Sequence, residues 1–166
     1  MRAEGASESS LSLRPIRWPE DEPFLQELYA STRVAELAQV SWTDEQKGAF
    51  CRMQFVAQHQ HYREHYTGAA FDVIELDALA IGRLYVNRGE REIRIVDITL
   101  LTEHRGAGLG TRLLRALQAE AHAAGKALSI HVEKFNPALR LYQRLGFQVH
   151  ADRGAYLFLQ WVAPSD

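Results

Sequence analysis

Apolar residues alternate with polar ones over Leu11, Leu13 and Ile16, which predicts a first strand ending around Pro15 and the Trp18-Pro19 step. Phe24, Leu25, Leu28 and Tyr29 then recur at helical spacing behind the acidic Glu20, Asp21 and Glu22. Thr43 and Gln46 make a capping box for a longer helix from Thr43 to His65, with a rough apolar face of Phe50, Met53, Phe55 and Ala57. Beyond it the period drops to two. Phe71–Leu76, Ile81–Val86 and Glu92–Leu101 read as strands, and the short turns at Asp77-Ala78 and Asn87-Arg88-Gly89 make them an antiparallel meander.

Helical spacing returns with Leu109, Leu113, Leu117 and Ala121, with Leu114 beside them and Gly125 as the C-terminal cap. Leu128–Val132 is a strand. Asn136-Pro137 opens a short helix running to Leu145, which Gly146 stops, and two final strands lie around Phe147–His150 and Tyr156–Trp161. The order β-α-α-β-β-β-α-β-α-β-β predicts a single α/β domain over residues 11–163. Its central sheet would be mixed, mostly antiparallel, of about seven strands flanked by helices. Residues 1–10 read as a flexible polar tail.

Composition excludes several classes. The chain has 166 residues, 46% of them hydrophobic and 24% charged, which is globular and not disordered. Nineteen Lys and Arg against twenty-one Asp and Glu leave a net charge of −2, so the basic excess of a nucleic-acid binder is missing. No apolar run is long enough to span a membrane, and the polar start does not read as a signal peptide. The one cysteine, Cys51, cannot form an internal disulfide and reads as a small helix residue. A cytoplasmic protein is expected.

The chemistry concentrates after the third meander strand, in Asp97-Ile-Thr-Leu-Leu-Thr-Glu-His-Arg105-Gly106-Ala107-Gly108-Leu109-Gly110-Thr111. Alternating glycines let the backbone approach a ligand closely, and the helix that follows opens with unpaired N–H groups and a partial positive charge. Together they suit a phosphate or pyrophosphate. A Walker loop is excluded because no Gly-Lys-Ser/Thr is present. A dinucleotide-binding oxidoreductase stays open: Glu133 stands near the end of the next strand, although the spacing is G-x-G-x-G and the loop follows helices and hairpins instead of opening the fold.

Arg105-x-x-Gly108-x-Gly110 resembles the pyrophosphate-binding motif of the GNAT superfamily of acetyl-CoA-dependent N-acetyltransferases. Leu141-Tyr142-Gln-Arg-Leu-Gly146-Phe147 resembles that family's second signature, Leu-Tyr-x-x-x-Gly-Phe. The resemblance covers about residues 70–160 and implies a GNAT-like fold, acetyl-CoA as co-substrate, no metal, and transfer to a primary amine of a small molecule or peptide. A non-catalytic acyl-CoA-binding module of the same fold is the alternative. By the resemblance, the backbone of Gly106, Ala107, Gly108, Leu109, Gly110 and Thr111 would hold the pyrophosphate. Ile98, Thr99 and Leu100 would pair with the pantetheine amides, and Arg105 would brace the loop or approach a phosphate.

The resemblance also makes Tyr142 the acid that protonates the departing thiolate. Asn136 would touch the pantetheine arm or simply cap its helix, since only six residues separate it from Tyr142 where the family has seven. Three groups are candidate bases: Asp97 first, in mid-strand among isoleucines and valine; His131 on the neighbouring strand; and Glu133 third. A water chain is a further alternative. His59, His61 and His65 read as a solvated face near the acceptor pocket, although His61 and His65 have a metal-compatible spacing. The terminal strand, with Tyr156 and Trp161, is a candidate homodimer edge.

Overall fold

The computed structural model describes residues 9–165. Strand β1 (Leu11–Pro15) leads across a cis Trp18–Pro19 peptide to α1 (Glu22–Ser31), with a proline at its N-terminus. Asp21 anchors this entry by accepting from Arg14 Nη1 at 2.7 Å, Arg14 Nη2 at 2.9 Å and the Arg17 backbone N–H at 2.6 Å. A short α2 (Val34–Leu37), which has no strong periodic signal, precedes α3 (Asp44–His65). The predicted capping box is present: Thr43 Oγ1 accepts from the Gln46 N–H, and Gln46 Oε1 accepts from the Thr43 N–H.

The inner face of α3 differs from the expected one. Met53 is exposed, while Cys51 and Phe55 are buried with Leu25 and Tyr29 of α1 in a small satellite core. Following that stripe, Phe55 carries the inner face on to His59, and Gln58 and Tyr62 reach across to the sheet.

The meander is β2 (Ala70–Leu76), β3 (Leu79–Arg88) and β4 (Glu92–Leu100). A 3-10 turn at Thr102–His104 leads into α4 (Leu109–Ala124), followed by β5 (Ala127–Glu133), α5 (Leu139–Arg144), β6 (Gln148–Arg153) and β7 (Tyr156–Trp161). The seven strands form one sheet in the order β1-β2-β3-β4-β5-β7-β6; β4 and β5 run parallel and every other pair is antiparallel. This is the expected α/β architecture. The last strand, however, is an interior one: β7 lies between β5 and β6, so it offers no free edge, and β6 is the edge instead.

The main core lies on one side of the sheet. Leu84, Val86, Ile93, Ile95, Leu128, Ile130, Val132 and Leu159 pack there against Leu109, Leu113, Leu114 and Leu117 of α4 and Tyr142 of α5. Burial of this size, at about 25 cal/mol per Å² of apolar surface, is what fixes the register of the central strands.

That register contains one irregularity that shapes the site. Tyr85 pairs with Asp97, but Val86 pairs with Ile95, so Val96 is an extra residue on β4. Such a bulge bends its strand. Parallel pairing with β5 runs from Glu92↔Ala127 to Ile95↔Ile130 and stops there, although both strands continue. From Val96 onward β4 and β5 diverge, leaving a wedge between their C-terminal ends.

Candidate active site

The glycine loop closes the β4 side of the wedge. Gly106 and Gly108 have φ of 78° and 79°, in the left-handed region that costs other residues energy, and a Cβ on either would meet nothing within 4 Å. Both glycines therefore serve the backbone path and an open surface rather than internal packing. Gly108 is the N-cap of α4 and the first turn holds no acidic residue and no side-chain cap. The first N–H groups of a 16-residue helix thus face outward, beside a cavity of about 500 Å³ lined in part by His104, Ala107, Leu109 and Arg112. Gly110 is different: it lies inside the helix, and a Cβ there would reach ordinary contact with Leu141 of α5 at 3.8 Å. Arg105 Nε donates to the Leu100 carbonyl at 3.1 Å, tying the loop back to the end of β4.

Ile98, Thr99 and Leu100 lie on the diverging part of β4, paired to β3 on one side and free of β5 on the other. The opposite wall ends in the loop that carries Asn136. Its Oδ1 accepts from the Ala138 N–H at 2.9 Å, and its carbonyl accepts from Leu139 N–H at 3.0 Å. The helix proper starts at Leu139 with Ala138 as N-cap, so Asn136 caps the turn before the helix and not the helix itself.

At the apex of the wedge stand the titratable groups. Asp97 follows the bulge and faces α3. Its Oδ1 accepts from Arg83 Nε at 3.1 Å and Thr99 Oγ1 at 2.7 Å; its Oδ2 accepts from Arg83 Nη2 at 2.8 Å and Tyr62 Oη at 3.2 Å. A carboxylate offers about four lone-pair positions, and all four are taken. Arg83 is buried and also donates from Nη2 to Gln58 at 2.7 Å. Tyr62 is held protonated by burial and by the Asp97 charge, and Tyr85 packs edge-on to Tyr62 with its own hydroxyl buried and unpartnered.

His131 is the first β5 residue past the last pair with β4. Burial, then the Arg94 and Arg153 charges, hold its imidazole below the ordinary histidine range; Glu92 pulls weakly the other way. Nδ1 lies 3.5 Å from Arg94 Nη1, and the ring packs against Phe158 with centroids 4.9 Å apart. Glu133, at the exposed end of β5, lies beyond this group opposite Tyr156.

Tyr142 is 4% exposed in α5, edge-on to Phe147 at 5.5 Å. Burial raises its phenol, and the Asp97 charge adds to the effect. The wedge therefore brings together the glycine loop, the free edge of β4, Asp97, His131 and Tyr142. Sequence reasoning missed Arg83, Tyr62 and Gln58, which surround Asp97.

The histidines on α3 do not act as one face. His61 and His65 are exposed, 4.0 Å apart, with His65 Nδ1 2.9 Å from the His61 carbonyl. His59 instead stacks between Trp18 at 4.6 Å and Phe55 at 5.7 Å. No group of three or more metal-ligating side chains occurs among the described residues. None of the described helices is long and apolar enough to cross a membrane.

A model of the Acetyltransferase (GNAT) family matches residues 14–147. Solved structures share the fold. An N-acetyltransferase named PaiA from Thermoplasma acidophilum, in complex with coenzyme A, superposes with a TM-score of 0.68 at 16% identity, covering 93% of this chain and 99% of that one. An acetyltransferase from Thermus thermophilus gives 0.69 at 21% identity, covering 93% and 97%. The protein yncA from Salmonella typhimurium, with its cofactor acetyl-CoA, gives 0.54 at 21% identity, covering 92% and 93%. No curated protein matches the chain significantly.

Proposed function

The chain belongs to the GNAT acetyltransferase family, and from that premise we propose that it moves an acetyl group from acetyl-CoA directly to a primary amine of a small molecule or peptide, in the cytoplasm. The observation that carries this reading is the wedge between β4 and β5, which opens at Ile95 and Ile130 with a bare helix N-terminus at its mouth and Tyr142, Asp97 and His131 at its apex.

The groups present fit a pyrophosphate on an extended amide-bearing arm. The N–H groups of Leu109, Gly110 and Thr111, with the loop of Gly106, Ala107 and Gly108, receive the phosphates. The β4 edge at Ile98, Thr99 and Leu100 supplies main-chain partners for the pantetheine amides, as an added strand would. Asn136 keeps its Oδ1 on the turn and has its amide N–H₂ left for the same arm. Arg105 braces the loop through the Leu100 carbonyl.

In the reaction the bound ammonium first loses a proton, the freed lone pair attacks the thioester carbonyl, the C–N bond forms as the C–S bond breaks, and the nitrogen gives up its second surplus proton as the thiolate gains one. Tyr142, kept protonated by burial and by Asp97, donates to the sulfur. His131 removes the amine proton. Its lowered basicity leaves it neutral at pH 7, and the 3.5 Å contact with Arg94 is too long to engage its lone pair firmly. Asp97, with every lone pair occupied, acts as a fixed charge that positions Arg83, Tyr62 and Thr99 and keeps the phenol of Tyr142 protonated.

The test is calorimetric titration with acetyl-CoA, followed by thiol-release assays over a panel of amines. Binding and amine-dependent thiol release are expected. Binding without release for any amine would favour the non-catalytic acyl-CoA-binding module, and absence of binding would overturn both readings.

A further inference from the structure

We infer that the acceptor amine carries a carboxylate, and that Arg153 and Arg94 receive it above the ring of Phe158. The inference rests on the acetyl-transfer reading of the same wedge. On the face of β4, β5 and β7 away from the α4 core, cross-strand register aligns Arg94 with Ser129 and His131 with Phe158. Both guanidiniums converge on the Phe158 ring, Arg94 at 5.2 Å from its centroid and Arg153 at 5.1 Å. One comes from β4 and the other from the edge strand β6.

Their charges are unequally satisfied. Arg94 donates to Glu92 at 2.6 Å and to the buried Ser129 hydroxyl at 2.7 Å. Arg153 has no carboxylate within ion-pair distance among the described residues, and the adjacent Asp152, on the other face of β6, pairs with Lys134 at 2.7 Å. One cation is therefore in excess, on an apolar ring, beside the histidine that receives the amine. Opposite Phe158, β6 places Ala151, whose small side chain leaves room for Arg153 to lie over the ring. Arginine is the side chain suited to take a carboxylate through two parallel N–H bonds, and an aromatic platform shields that pair from water.

The geometry also keeps the acceptor short. From His131 on β5 to Arg153 on β6 is two strand spacings, roughly 10 Å before side chains reach inward. Because His131 and both guanidiniums gather on the one Phe158 ring, a short ω-amino acid such as 5-aminovalerate can lie over that ring with its carboxylate at the arginines and its amine at His131.

The test compares 5-aminovalerate with 5-aminovaleramide, identical except for the charge. Binding of each is measured by calorimetry, and kcat/KM by thiol release with acetyl-CoA, for the wild type, Arg153→Met and Arg153→Lys. The acid is expected to bind and react at least tenfold better than the amide. Arg153→Met should bring the acid down to the amide, and Arg153→Lys should restore part of the difference. Equal constants for the two compounds in the wild type, or a parallel fall of both in Arg153→Met, would overturn the inference. If acetyl-CoA itself gives no heat while the acid still binds through Arg153, the transfer reading falls and the carboxylate seat stands. If acetyl-CoA binds and the acid holds no advantage, the seat falls alone.

Discussion

Arg83 on β3 grips Asp97 on β4 with two parallel hydrogen bonds of 3.1 and 2.8 Å, on the side of the sheet that faces α3. Only 3% of the Arg83 side chain is exposed and 12% of the Asp97 side chain. Replacing one partner of such a pair strands a buried charge, at a cost of about 3–5 kcal/mol. Arg83→Met should therefore lower unfolding stability by that order in urea titrations. Arg83→Met with Asp97→Asn should cost clearly less than the two single changes added together. Strict additivity would mean that the two side chains do not depend on each other.

The sequence carried the order of elements, because the change from period two to period four and back is strong in this chain. Both glycine signatures were readable too: Gly108 of the first has φ of 79° and Gly146 of the second has 92°, in the region that favours glycine. The bulge was visible but easily passed over. Apolar positions run Ile93, Ile95 and then Ile98, Leu100, so the alternation slips by one residue at Val96-Asp97, where the two strands part. The setting of Asp97 was not readable, because Arg83 meets it only through strand register, and Gln58 and Tyr62 only through the docking of a distant helix. The stripe Cys51, Phe55, Gln58, Tyr62 has the right helical spacing, but more apolar side chains such as Met53 masked it.

Tyr142→Phe removes a single oxygen and keeps the edge-on contact with Phe147. If the phenol protonates the leaving thiolate, kcat should fall about 100-fold or more while the dissociation constant for acetyl-CoA and the melting temperature stay near their wild-type values. An unchanged kcat would remove the phenol from the proton path and leave Tyr142 as a core residue.

Gly108→Ala tests the phosphate seat. The added methyl meets no protein atom within 4 Å, so its cost comes from forcing alanine to φ of 79° at the N-cap of α4, together with crowding of whatever the loop binds. Backbone strain alone is worth about 1–2 kcal/mol. That strain weighs on the free and the bound protein alike and is read in unfolding stability; affinity for acetyl-CoA should drop by roughly tenfold through crowding of the phosphates, as 1.4 kcal/mol corresponds to a factor of ten. Gly110→Ala, in ordinary contact with Leu141, should bind acetyl-CoA more tightly than Gly108→Ala, and calorimetry compares the two.

His131 makes a prediction in pH. Burial and two arginines place its protonation below the ordinary value near 6.5. If it is the base, kcat/KM should hold steady as pH falls to 6.5 and drop only at more acidic values, where the imidazole acquires a proton. In His131→Gln that acid limb should disappear along with most of the activity. A limb of the same position in the variant would assign the titration to another group.

His59 of α3 brings two polar atoms into a buried aromatic slot. Both ring nitrogens are buried without a partner, the ring stacking on Trp18 at 4.6 Å and 9° and on Phe55 at 5.7 Å. Burial first, then the Arg63 and Arg83 charges, push its protonation below the ordinary histidine value. Between that lowered value and about 6.5, the unfolded chain binds a proton that the folded chain does not, so stability must rise with pH there and fall as pH drops below about 6.5. Phenylalanine fits a slot between two aromatic rings and brings no nitrogen to desolvate. His59→Phe should therefore gain about 1 kcal/mol at pH 7, the low end of what an unpartnered buried polar group costs. The gain should widen toward pH 5, because the variant has no imidazole to protonate on unfolding. Urea titrations of both proteins at pH 5, 6 and 7.5 measure the difference. A gap that stays constant across the three would mean that the imidazole takes up its proton equally well in the folded and unfolded chains.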